Sequence, residues 1–324
     1  MRISNLLLIA SILCLGMTQA AYVMQDDFRG KTFFDKFNFW TGEDPTDGYV
    51  NYVDKETAVT KGYISGGGAD NEPVIIGTDH QNKATGRGRD SVRIESKTIY
   101  NSGLILFDIN HMPQGCGTWP AFWTFGPNWP NSGEIDIIEG IHNNINNQAT
   151  LHTNQGCEMD PKISSEFTGS WAPTGSGSPS TNCWIGTPGQ LKNAGCGIVV
   201  KNNYGTAINS FGGGVFAVEW TGDFVRNFFF PRGGIPEDIK NQKPDPSTWG
   251  KPNAYFPFGA KCPNTHFINQ SIVINLTFCG QWADPNFPKF CPNLGNCVDY
   301  VRDNPDAFAD AYWDINYLSV YEQK

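Results

Sequence analysis

In the run Trp313 to Tyr321, WDINYLSVY, apolar and polar positions take turns as a half-buried strand requires. Short runs of the same kind recur at 103–109, 134–138, 149–153, 215–220, 224–230 and 271–278. Thirty-six glycines and 21 prolines scatter turns between them. Only 305–312, following Asp303 and Asn304, reads as a helix, and it is short. A chain of many short strands with almost no helix buries apolar surface by laying sheet on sheet. The expected fold is therefore all-β, an antiparallel β-sandwich of jelly-roll type. No internal repeat or compositional break marks a second domain. The stretch 154–214, rich in Gly, Ser, Thr and Asn and holding three cysteines, reads as long disulfide-pinned loops.

The chain opens with Arg2, an apolar run from Leu6 to Leu15, and the small-residue site Thr18-Gln19-Ala20. This is the pattern of a secretory signal peptide over residues 1–20, leaving 21–324 as one mature domain. The run is too short to span a membrane, which takes about 20 apolar residues, so a secreted, extracellular product with no membrane partner is expected. Of nine cysteines Cys14 leaves with the leader, and Cys116, Cys157, Cys183, Cys196, Cys262, Cys279, Cys291 and Cys297 remain. An even number in a secreted chain implies disulfides. No pairing follows from the spacing, and without C-x2-C pairs a zinc site is not expected. Two sequons, at Asn269 and Asn275, permit N-glycosylation.

A net charge of −9 argues against nucleic acid as a partner. Charged residues make up only 17% while aromatics reach 13%, with ten tryptophans. Such a surface suits a neutral polymer, polysaccharide above all, handled by a monomeric protein.

Residues 133–140, GEIDIIEG, place Glu134, Asp136 and Glu139 within six positions. On a strand Glu134 and Asp136 share a face, and simple alternation sends Glu139 to the other. That would bury a carboxylate in the core and expose Ile138, both at a cost. A one-residue bulge, with Ile137 and Ile138 occupying the space of one residue, returns Glu139 to the outer face. Three acids then crowd one surface without a basic partner, which is poor value for structure alone. It suits a glycosidase that retains anomeric configuration, which needs two carboxyls about 5 to 5.5 Å apart. Calcium loops prefer a flexible, glycine-rich backbone to an isoleucine-filled strand.

The segment resembles the E-x-D-x-x-E signature of glycoside hydrolase family 16. Its surroundings resemble the fungal laminarinase branch, the endo-1,3(4)-β-glucanases: DPTDGYVNYVD (44–54), HMPQGCGTWPAFW (111–123), NWPNSGEIDIIEG (128–140), NLTFCGQWAD (275–284) and AYWDINYLSVY (311–321). The likeness covers nearly the whole mature chain. It implies a concanavalin A-like sandwich with a substrate cleft on the concave sheet. It also implies retaining endo-hydrolysis of β-1,3 or mixed 1,3-1,4 glucans, with Glu134 as nucleophile, Glu139 as acid/base and Asp136 assisting. No cofactor is expected, although some relatives of that family carry a calcium near the position matching Asp314. Both glutamates stand in place, which separates the chain from non-catalytic glucan-binding relatives. Transglycosylation shares the covalent intermediate and is the other enzymatic reading.

Sugar rings need flat apolar platforms and polar groups for their hydroxyls. The resemblance places Trp123, Trp129 and Trp282 in the cleft and leaves Trp119 undecided. His152 sits on a strand expected to pair with the acid strand through a hairpin at 143–147, within reach of Glu139 or a sugar. Asn51 and Arg89 are weaker carry-overs as sugar contacts, and Arg93 is equally a structural ion-pair residue.

Overall fold

The computed structural model describes residues 22–324, so the expected leader lies outside the described residues. Two eight-stranded sheets carry the fold. One runs in the order Ser170–Trp171, Cys196–Val200, Asn147–His152, Glu134–Glu139, Thr118–Phe125, Gln270–Phe278, Arg93–Tyr100 and Phe37–Phe39. The other runs Ala254–Pro257, Phe224–Pro231, Gly214–Trp220, Gly103–His111, Trp313–Gln323, Val74–Ile76 and Ile64–Gly66, with Tyr22–Phe28 also paired to Trp313–Gln323. Every pairing within the two sheets is antiparallel. Gln270–Phe278 inserts between Arg93–Tyr100 and Thr118–Phe125, a crossover of jelly-roll kind.

The sheets meet through one apolar layer. Ile105, Phe107, Ile109, Val218, Trp313 and Val320 come from one side, and Ile94, Phe122, Ile135, Leu151 and Ile274 from the other. Phe107 stacks on Phe122 across the layer at 4.0 Å between ring centroids. Truncating either ring to alanine is expected to cost roughly 3–5 kcal/mol. The first half of Gly103–His111, residues 103–107, is apolar throughout because both its faces are covered. Leu104 and Leu106 pack outward against Phe228, Ile239 and Tyr321.

All seven strands expected from alternation form, each extended by at most two residues at an end except that 149–153 forms at Asn147–His152. The register of the C-terminal strand shifts on both sides of Ile315, and Leu318 and Val320 follow Trp313 and Ile315 into the core. The other strands of the two sheets are not among those seven, and the longest of them are Arg93–Tyr100 and Thr118–Phe125. The second contains Pro120, placed beyond Ala121, where pairing to the acid strand has already ended.

Helices are where the expectation fails. The segment 305–312 forms only a 3-10 turn, Pro305–Phe308, whereas Gly280–Phe290 and Cys297–Asp303 are α-helical. Pro285 and Pro288 lie inside the first and hide its period. Tertiary constraint overrides propensity there: Cys279–Cys297 and Cys116–Cys291 tie down its ends, and Phe278, Phe287, Val301 and Phe308 form a small core beneath. The other two disulfides, Cys157–Cys262 and Cys183–Cys196, pin the long loops, so all eight expected cysteines are paired. Within 154–214 the strand Cys196–Val200 nonetheless joins the first sheet against Asn147–His152.

Candidate active site

The acid strand Glu134–Glu139 carries the expected bulge. Asp136 pairs with Trp123 and Ile138 with the adjacent Phe122, leaving Ile137 as the extra residue. Ile135, Ile137 and Ile138 are all buried in the core. The opposite face presents Glu134, Asp136 and Glu139 together to a cavity of about 790 Å³ on the outer side of the sheet. Ala121, the cross-strand partner of Glu139, lines the same cavity.

Each acid is held by a neighbour. Trp129 Nε1 donates to Glu134 Oε2, and Trp119 Nε1 donates to Glu139 Oε1 at 3.0 Å. The carboxyls of Glu134 and Asp136 share a hydrogen bond. Asp136 Oδ2 lies 3.0 Å from His152 Nε2. The two atoms are close, but without the alignment of a hydrogen bond. Burial is the first cause of raised pKa values throughout, and like charge the second cause for Glu134 and Asp136. Glu134 is pushed up to about 8 by burial and by Asp136. Glu139 rises to about 7 through burial and the Glu134 charge, against opposing effects of His152 and the Trp119 hydrogen bond. Asp136 is raised well above the usual carboxylate range by burial and by Glu139. Three negative charges cannot coexist here near neutral pH. The group keeps at least one proton, as acid catalysis requires.

Trp123, Trp129, Trp282, His152 and the three acids line the cavity. The expected hairpin forms, with Glu134 opposite His152, but His152 contacts Asp136 rather than Glu139. Trp119, undecided from sequence, is a site residue. It holds Glu139 and meets Trp282 edge-on at 5.5 Å between centroids. The signal was present in the alternation Trp119, Ala121, Trp123, Phe125 along one face. Trp123 Nε1 donates to Asn275 Oδ1 at 2.7 Å, and Asn275 Nδ2 donates to Tyr52 Oη at 3.3 Å. The Asn275 sequon is therefore buried and engaged, while Asn269 lies exposed.

Two expected sugar contacts are corrected. Arg89 is fully buried, its guanidinium donating to the carbonyls of Asp79, Asn82 and Val301 and lying over the Phe308 ring. It sits opposite Val50 in the parallel pair Val50–Tyr52 with Arg89–Ser91, beneath the surface. Asn51 Nδ2 donates to Asp90 Oδ1 at 2.6 Å, and Asn51 is not among the residues lining the cavity. Arg93 reaches the cavity while also pairing with Glu95 at 2.8 Å. Asp314 Oδ1 accepts from Asn110 Nδ2, and neither close cluster of ligand-type side chains among the described residues includes Asp314. One of those clusters is Glu134, Asp136 and His152; the other contains the Cys279–Cys297 disulfide.

Residues 37–321 match the family described as XgeA-like, catalytic GH16 domain. An endo-1,3(4)-β-glucanase of Arthroderma benhamiae is 46% identical over all of this chain and 69% of its own length. A probable glycosidase of Schizosaccharomyces pombe is 42% identical over 93% of this chain and 69% of its own. Among solved structures, GH16 Laminarinase 16A of Phanerochaete chrysosporium, with β-glucans in donor and acceptor sites, is 40% identical. It covers 94% of this chain and 100% of its own, with a TM-score of 0.85. An elongating family 16 β-1,3-glucosyltransferase is 38% identical, covering 93% of this chain and 100% of its own, with a TM-score of 0.83. Fold, bulged acid strand and likeness over almost the full length agree, and the chain belongs to glycoside hydrolase family 16.

Proposed function

We propose that this protein is a retaining endo-glycosidase that cuts internal β-1,3 linkages, and mixed 1,3-1,4 linkages, of β-glucans. It works outside the cell as a monomer and needs no metal or other cofactor, because two carboxyls supply both halves of the chemistry. The carrying observation is the bulge at Ile137, which sets Glu134 and Glu139 on one face of an aromatic cleft. In the reactive form the proton shared by Glu134 and Asp136 lies on Asp136, so Glu134 is ionised. The protonated Glu139 gives its proton to the departing glycosidic oxygen while the Glu134 carboxylate attacks the anomeric carbon, forming a glycosyl ester. Glu139, now a carboxylate, takes a proton from water, which attacks the same carbon and releases Glu134. Asp136, hydrogen-bonded to Glu134, orients the nucleophile and holds the shared proton between attacks. Trp123 and Trp282 support the faces of the sugar rings.

The test is reducing-end release from laminarin with anomer analysis by proton NMR. The β-anomer appears first if configuration is retained, and Glu134→Ser abolishes release. Full activity in that variant, or the α-anomer first, overturns the assignment. Glucosyl transfer is the second reading, favoured by the likeness to the elongating β-1,3-glucosyltransferase. Products longer than the supplied oligosaccharide distinguish it.

A further inference from the structure

The cleft does not account for Trp40, one of the few large apolar side chains left exposed, at 38%. Its backbone N–H donates to the Arg93 carbonyl at 2.9 Å, placing it just past Phe37–Phe39 at the edge of the acid-bearing sheet. The register then runs in one row across that sheet. Arg93 pairs with Asn275, Asn275 with Ala121, and Ala121 with Glu139. Trp40 therefore ends the cross-strand row that begins at Glu139, four strand spacings or roughly 19 Å away. The Arg93 guanidinium bridges the interval, 5.1 Å from the Trp123 ring on one side and 5.3 Å from the Trp40 ring on the other. Arg93 is buried and fixed by Glu95, so the strip is continuous and rigid.

Trp40 is also held in place rather than loose. A Cβ on Gly42 would stand 2.5 Å from the indole, so only glycine lets that backbone lie against the ring. Arg87 clamps the same turn, donating to the carbonyls of Thr41 and Gly42 and pairing with Glu43 at 3.1 Å. Two residues further on, Asp44, Pro45 and Thr46 form part of the cleft wall. An exposed, ordered indole in line with the catalytic row is a platform for the apolar face of a sugar ring.

We propose that Trp40, backed by Arg93, is a distal glycosyl subsite that grips a β-glucan chain several units from the scissile bond. The subsite rests on the reading of the cleft as a β-glucanase site. It makes the protein select long chains over short oligosaccharides.

The experiment compares wild type, Trp40→Ala and Trp40→Phe on laminarin and on the shortest laminari-oligosaccharide that is cleaved. Binding of laminarin to Glu134→Gln and to Glu134→Gln/Trp40→Ala is measured alongside by calorimetry. The expected result is a roughly threefold to tenfold fall in kcat/KM for laminarin relative to the short substrate, carried by KM, with Phe restoring part of it. The binding pair should show a matching loss of affinity. An unchanged long-to-short ratio with unchanged affinity, or an equal fall on both substrates, overturns the subsite. If wild type cleaves nothing, the hydrolase reading fails and the binding pair alone decides on Trp40.

Discussion

Replacing Glu134 by glutamine should stabilise the protein, and by more at pH 7 than at pH 5. Glutamine keeps the shape, accepts from Trp129 Nε1 in the place of Oε2 and donates to Asp136, but it cannot ionise. In the folded chain the Glu134 pKa rises from 4.5 to about 8. The native state therefore holds the proton more tightly than the unfolded chain does. Below about pH 4.5 the group costs nothing. As pH climbs through the window from 4.5 to 8, keeping it folded opposes an ionisation that the unfolded chain enjoys, and stability is lost. At ~1.4 kcal/mol per pH unit the ceiling on the difference between pH 5 and pH 7 is about 2.5 kcal/mol. Glu134 faces an open cleft and is only partly covered, so screening brings this to roughly 1 kcal/mol. For a domain of this size that is about 2 °C in Tm. Differential scanning calorimetry of both proteins at both pH values checks it. An increment that is equal at the two pH values, or larger at pH 5, would show that the site is not electrostatically frustrated as described.

Trp119→Phe removes the hydrogen bond that holds the Glu139 carboxylate down. The basic limb of the pH–rate profile, where the acid loses its proton, should move upward by roughly half a unit to one unit, with kcat lower; a downward move contradicts the assignment. Arg89→Met leaves three backbone carbonyls without their donor and should cost roughly 3–5 kcal/mol by denaturant melts, with KM of the folded fraction unchanged. A raised KM would restore Arg89 to sugar contact. Activity on laminarin should survive dialysis against EDTA, and its loss would reveal a required metal.

The features legible in the sequence were those that depend on side-chain period. GEIDIIEG has no economical strand solution other than a bulge, so the placement of Glu139 followed from the cost of burying it. The resemblance to family 16 added the roles and the tryptophans. What stayed hidden depends on the third dimension. Arg89 looks like any polar residue of an alternating strand, and only the loop carbonyls of Asp79 and Asn82 and that of Val301 converging on it reveal a structural cation. The helix Gly280–Phe290 contradicts its own prolines because disulfides at its borders hold it. The Trp40 platform depends on register across five strands, which no local pattern encodes.

The wall bearing Trp282 belongs to neither sheet and is fastened to the body by sulfur at both borders of its helix, Cys279–Cys297 and Cys116–Cys291. Thiol reductants should therefore blunt the enzyme before they melt it. The sandwich would still show its β-sheet circular dichroism, while the lip of the groove swings free and turnover falls. Sheet and catalysis failing together under reductant would mean that the wall has no independent looseness.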